Sequence, residues 1–287
     1  MKNHPYYKKT FAFATMHEKE KAIQDLLYKK FQAQVIVPSI NTDELGTFCG
    51  RIPRQESPFE TAKKKARRAL EVTGLPLALA SEGSFVTGPF GFGIVNHELM
   101  VLIDTQKDVA IQEKLVSYKT NYARTEIKWA DVEGPRFKQF LKNCQFGTHA
   151  LMVYTISHES NSIIKGITQQ KNLIEAIKSV IKKSGCDTVI VETDMRAHLN
   201  PTRMQNIKEL SKKMVLRLAN LCTHCNTPGF GCTEFVAGLP CELCDAPTDG
   251  IKQEIHSCAK CGYTQLSLPA DNPRYFANPA ECSICNP

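Results

Sequence analysis

Four Cys-x-x-Cys pairs, Cys222/Cys225, Cys241/Cys244, Cys258/Cys261 and Cys282/Cys285, fall within residues 222–287. Two thiolates on one tight knuckle supply half of a tetrahedral site, and a second knuckle brought over by a hairpin completes it. The 15 residues between Cys225 and Cys241, and the 20 between Cys261 and Cys282, match zinc-ribbon spacing. The preferred pairing is therefore sequential, first knuckle with second and third with fourth. Joining Cys241/Cys244 to Cys258/Cys261 would leave only 13 residues between them. The chain has 12 cysteines, and the short apolar stretch at residues 11–15 reads as no secretory signal, so metal ligation is expected in place of a disulfide framework. About two zinc ions are predicted, in closed and hence structural sites. Cys232 and His224 are read as bystanders. The module holds so little apolar sequence that metal should supply much of its stability.

Upstream, strand and helix signals alternate. FAFAT (residues 11–15) reads as a buried strand. A helix follows with Ala22, Ile23, Leu26, Leu27 and Phe31 on its apolar side, then a strand from Val35, which such a crossover makes parallel to the first. A helix is predicted over Pro58–Thr73, burying Phe59, Ala62, Ala66, Ala69 and Leu70 and closed by Gly74. LPLALASEG is the next strand. ELMVLID and a stretch near 110–117 form a hairpin around TQKD, and GPFGFG is a loop. Further strands are expected at 150–156 and TVIVE (188–192), with a helix from Leu173 to near Gly185 between them. Asn200-Pro201 opens a long helix to about Asn220, with Asn as N-cap and Pro at the first helical position. Residues 1–221 thus form an α/β domain, a mixed sheet with flanking helices, and 222–287 a double zinc-ribbon module. No apolar run approaches the length of a spanning helix, and a cytoplasmic protein is expected.

Charge divides the same way. Residues 1–221 carry a balance of +11 and residues 222–287 one of −4. With eight thiolates and two zinc ions the module would reach about −8. Phosphate backbones are repelled by such a surface, so nucleic acid is not expected there. Docking to protein, or to the basic α/β domain, fits better.

The candidate chemistry lies at strand ends. Glu192 and Asp194 follow a buried strand and point the same way, just before a helix whose first turn holds Thr202 and Arg203. Glu82 ends another strand. Divalent cations take such carboxylates, and helix N-termini attract anions. Glu60, Thr61, Lys64 and Arg68 share the side of their helix away from the alanines. Thr15, His17 and Lys19, after the first strand, could meet an anion. Cys49 and Cys186 are read as buried thiols.

At ATMHEKE, GTFCG, ASEGSF, ETDMRAHLNPTRM and TPGFG the sequence resembles a family of uncharacterised proteins described only as a domain of unknown function. That resemblance covers most of the chain and supplies no activity; Thr223-His224 stands in the first knuckle where the family would lead one to expect a proline. The order of Thr15, Glu60-Thr61, Arg68-Ala69 and Glu82-Gly83 also resembles the inosine-triphosphate pyrophosphatase superfamily, Mg²⁺ enzymes that split non-standard purine nucleoside triphosphates. It implies Glu82 near metal and Lys64 or Arg68 near phosphate. His17 stands where that superfamily usually has asparagine, and ETDMRAHLNPTRM has no counterpart in it.

The expectation is a metal-dependent hydrolase or binder of a phosphorylated small molecule, with a nucleotide preferred. Glu82, Glu192 and Asp194 would position magnesium and a water. Lys64, Arg68, Arg196 and Arg203 would neutralise phosphate, with Thr15, Lys19, Asn200 and Thr202 binding substrate. The alternative is a non-enzymatic adaptor whose basic α/β face contacts RNA while the zinc module recruits a protein.

Overall fold

The chain opens with the expected strand–helix–strand unit, β1 (Thr10–Ala14), α1 (Gln24–Phe31) and β2 (Gln34–Ile36), and its two strands are parallel. These elements come from a computed structural model that describes residues 2–45, 55–155, 163–270 and 273–287. GTFCG, with Cys49, lies outside the described residues, as does the end of the strand expected at 150–156. Next come α2 (Pro58–Thr73), β3 (Leu77–Thr87), β4 (Ile94–Asp104) and β5 (Val109–Ser117). They complete a five-stranded sheet of order β2-β1-β3-β4-β5, in which β3, β4 and β5 run antiparallel.

Side-chain size sets the layers. Ala62, Ala66 and Ala69 of α2 meet Ala12, Ala14, Ala78 and Ala80 of the sheet, so helix and sheet approach closely on this face. Ser57 caps α2, its hydroxyl accepting from Glu60 N at 3.2 Å. On the opposite face Phe11, Phe13, Leu79, Met100 and Leu102 pack with Ile23 and Leu27, and with Ile207, Leu210 and Met214 further along the chain.

The mixed sheet expected for residues 1–221 is divided in two. β6 (Arg124–Lys128), α3 (Pro135–Asn143), β7 (Leu151–Tyr154), β8 (Ile164–Ile167), α4 (Gln170–Ser184) and β9 (Thr188–Thr193) form a second unit. Its four strands are antiparallel in the order β6-β9-β7-β8. One face of that sheet is covered by apolar residues of α3 and α4, among them Phe137, Leu173 and Ile177. The last helix of the α/β part, α5 (Pro201–Ala219), returns to the first sheet. It therefore runs from the junction of the two sheets to the cysteine-rich module, where β10 (Gly231–Ala237), β11 (Ile251–Ser257) and β12 (Thr264–Ser267) make a three-stranded antiparallel sheet. Among the described residues, no helix is long and apolar enough to cross a membrane.

Candidate functional site

The eight paired cysteines gather into two groups, Cys222/Cys225/Cys258/Cys261 and Cys241/Cys244/Cys282/Cys285. The pairing is crossed, first knuckle with third and second with fourth, and the sequential ribbons are corrected. The β10–β11 hairpin is the cause. Gly231 lies opposite Ser257, so one end of the hairpin holds the first and third knuckles together. Ala237 lies opposite Ile251 at the other end, next to the second knuckle, and a bridge from Cys241 to Ala277 brings in the chain that leads to the fourth. Sulfur–sulfur distances are 3.7 Å for Cys222–Cys261 and 3.5 Å for Cys225–Cys258. They are 3.9 Å for Cys241–Cys285 and 3.7 Å for Cys244–Cys282. Four sulfurs about 2.3 Å from a tetrahedral zinc stand roughly 3.8 Å apart, so both groups could hold a metal ion of that geometry. His224 is no ligand; it stacks on Tyr263 at 5.9 Å. Cys232 also stands outside both groups.

The module is fastened to the α/β part by Arg217 of α5. Its guanidinium donates to the carbonyls of Gly229 at 3.0 Å, Cys232 at 3.2 Å and Gln112 at 2.8 Å, and pairs with Glu113 at 3.1 Å. Gly229, at φ +94°, sits so close to β5 that a Cβ there would lie 2.3 Å from Ile111. This close approach explains the glycine in TPGFG.

The second arrangement lies where β1 ends. The last β1–β3 rung joins Ala14 to Ala80, while β3 continues to Thr87. Alternation then decides the side chains: Ala78 and Ala80 face α2, and so does Glu82, whereas Gly83 faces α5. Glu82 pairs with Lys65 at 2.5 Å. On the α5 side Arg203 holds Glu98 through two bonds, Nε to Oε1 at 2.7 Å and Nη2 to Oε2 at 3.3 Å. Its Nη1 donates to the Met195 carbonyl at 2.5 Å. A Cβ on Gly83 would strike this pair, 2.3 Å from the guanidinium and 2.6 Å from the carboxylate.

Lys19 occupies the place that β1 vacates, donating to the Ser81 carbonyl at 2.9 Å. Its side chain lies beside Arg203, Glu82, Glu98 and Lys65. Burial, then the Arg203 charge, pulls its pKa down to about 8, while Glu82 and Glu98 oppose the shift. Only 7% of Lys19 is exposed, yet the ammonium pairs with no carboxylate among the described residues. The Ser81 hydroxyl, in a residue 2% exposed, has no hydrogen-bond partner among them. Thr15 shapes the turn ahead, its Oγ1 accepting from His17 N at 3.0 Å. His17 stacks on His198 at 5.3 Å.

Several predicted residues stand elsewhere. Asp194 is saturated: it accepts from Gly166 N at 3.0 Å and takes a two-point ion pair from Arg196. Glu192 accepts from the Tyr154 hydroxyl, and burial raises its pKa. Glu82, Glu192 and Asp194 thus have separate partners, and among the described residues the groups of three or more metal-type ligands are the two cysteine sets. Glu82, Glu192 and Asp194 do not form such a group with one another. The N-terminus of α5 is also occupied. Asn200 is fully buried, its Oδ1 accepts from Arg203 N at 2.9 Å, and His149 Nε2 accepts from Thr202 N at 3.2 Å. Lys64 is exposed and pairs with Glu56 at 2.6 Å, and Arg68 is exposed near Glu44 at 3.8 Å. Glu82 is paired instead with Lys65. Cys186 is exposed, not buried.

Lys65 and Glu98 were the residues missed, and each carried a signal. Lys65 falls in the helical phase of Ala62, Ala66 and Ala69, and Glu98 shares the strand face of Met100 and Leu102. A charge on an apolar stripe marks a buried partner.

A family model matches residues 65–287. The chain belongs to the family described as Domain of unknown function (DUF6671). The DUF6671 match begins at Lys65, so it takes in Glu82, Glu98, Arg203 and both cysteine groups, while Lys19 lies ahead of it. No curated protein matches the chain.

Proposed function

We propose that the chain binds a phosphorylated small molecule, a nucleotide among the first to test, beside Lys19 beyond the end of β1, and that two zinc ions hold its C-terminal module. The observation that carries this reading is Lys19, a buried ammonium that meets only a neutral carbonyl among the described residues. Burying an ammonium that no carboxylate directly contacts is costly; Glu82 and Glu98 offset that cost only in part, and an anionic ligand would offset more of it. The Ser81 hydroxyl offers a second open donor beside it. Position supports the same reading, since ligands of α/β sheets lie beyond the carboxyl ends of parallel strands. Arg203, Lys65 and Arg196 are each engaged by a carboxylate, so they supply surrounding positive potential while Lys19 makes the contact.

The test is calorimetric titration of the zinc-loaded full chain with nucleoside phosphates, sugar phosphates and inorganic phosphate. Lys19→Met should weaken any phosphate-bearing ligand that binds by about 10- to 100-fold, the worth of a charge-assisted hydrogen bond. Affinity should fall as pH rises through about 8, where Lys19 loses its proton. Equal binding by wild type and Lys19→Met, or no binding by any phosphate, contradicts the reading.

A further inference from the structure

The second unit carries a set of cations that its fold does not use. α3 and α4 turn their apolar residues to one face of the β6-β9-β7-β8 sheet, so their outer sides form one layer. Arg136, Lys138 and Lys142 of α3 and Lys171, Lys178, Lys182 and Lys183 of α4 are exposed on it, and the two helices hold one acid, Glu175. None of these cations pairs with a carboxylate among the described residues, whereas Lys63 and Lys64 of α2 and Lys212 of α5 each do.

The placement works against the helices themselves. Arg136 and Lys171 lie in first turns that contain no acid, where the helix dipole disfavours positive charge. Lys138 and Lys142 are like charges four positions apart, as are Lys178 and Lys182, and such pairs repel along a helix. Lys142, Lys182 and Lys183 suit the dipole of a last turn; the other four gain nothing from it. A polyanion laid over the layer would reverse each of these costs. Lys171, Lys178 and Lys182 recur at helical spacing over about 17 Å, too far for one small anion to span. A nucleic-acid strand presents a phosphate at every nucleotide and can follow them. An anionic membrane would also neutralise charge, but binding at its surface requires apolar side chains that insert. Trp129, 43% exposed, is the one large apolar side chain exposed among the described residues of this unit.

Independently of the phosphate reading at Lys19, we infer that the α3–α4 layer binds the phosphate backbone of a nucleic acid without reading its sequence.

The test uses the zinc-loaded full chain and two labelled RNAs of unrelated sequence, each about 20 nucleotides long. Fluorescence anisotropy should give similar affinities for both. With about four phosphates engaged, affinity should fall on the order of 50-fold between about 50 and 200 mM salt. Trp129 is the single tryptophan of the chain, and Lys178 Nζ lies 5.0 Å from its ring centre, so its emission should change on binding. The variant combining Lys138→Glu, Lys142→Glu, Lys178→Glu and Lys182→Glu should bind about 10-fold more weakly or worse, with a flatter salt dependence. Thermal melts confirm that it is folded. Reversing Lys9, Lys29, Lys208 and Lys213 to Glu, all exposed on the first unit, makes the same change in net charge and should cost far less. Lys19→Met should leave RNA affinity unmoved. Absence of RNA binding, an unchanged Trp129 emission, or equal losses in the two charge-reversed variants overturns the inference. So does tighter binding of phosphatidylserine-containing vesicles or of poly-L-glutamate than of RNA. Each of these outcomes leaves the phosphate reading standing.

Discussion

Arg203 shows how a residue chosen for chemistry can serve architecture. The residue is 3% exposed, and its guanidinium holds Glu98 at two points and pins the Met195 carbonyl, so it joins β4, α5 and the chain after β9. Removing one partner of such a pair strands the other charge. Arg203→Met should therefore cost on the order of 3–5 kcal/mol in urea unfolding. Glu98→Gln, which keeps an acceptor for Asn96 Nδ2, should restore part of the loss when combined with it. A double variant no more stable than Arg203→Met alone would contradict this account of the pair. At this scale the sequence was readable where a charge breaks an apolar stripe. Lys64 and Arg68 form an obvious basic face, but a basic face is usually solvated. Lys65, hidden in the alanine phase, is the one that turns inward. Asp194 illustrates the converse limit: its position after a strand was legible, but its saturation by Gly166 and Arg196 depends on β8, which pairs across the second sheet.

Local pattern gave the elements well, and long-range pairing much less. The boundaries of α2, α5 and the β4–β5 hairpin follow from caps, glycine closure and alternation. The division into two sheets does not, because it rests on β6, β7, β8 and β9 meeting across long separations. The cysteine pairing fails for the same reason. Knuckle spacing tests neighbours along the chain, whereas the β10–β11 hairpin joins Cys225 to Cys258, 33 positions away. A variant with Cys241, Cys244, Cys282 and Cys285 all changed to Ser separates the two arrangements. The crossed arrangement leaves one complete set, and elemental analysis should find about one zinc per chain. Sequential ribbons would leave no complete set, and a zinc content near zero would contradict the crossing.

Over the whole molecule, α5 is the common support. Its N-terminal end carries Asn200 and Arg203 beside Glu98, and its last turns carry Arg217, which clasps the cysteine-rich module. The acidic module and the basic α/β part meet along this clasp, in keeping with the charge division along the chain. The proposed function resides at the other end of the helix, in the buried charge of Lys19. Nuclear magnetic resonance of lysine side-chain nitrogens follows that charge directly, across a pH titration with and without saturating inorganic phosphate. One lysine resonance, missing from Lys19→Met, should titrate near pH 8 in the free protein. Phosphate should raise that value, because an anion binds the protonated form preferentially. A Lys19 resonance that titrates at the ordinary lysine value, or that phosphate leaves unmoved, would contradict the account.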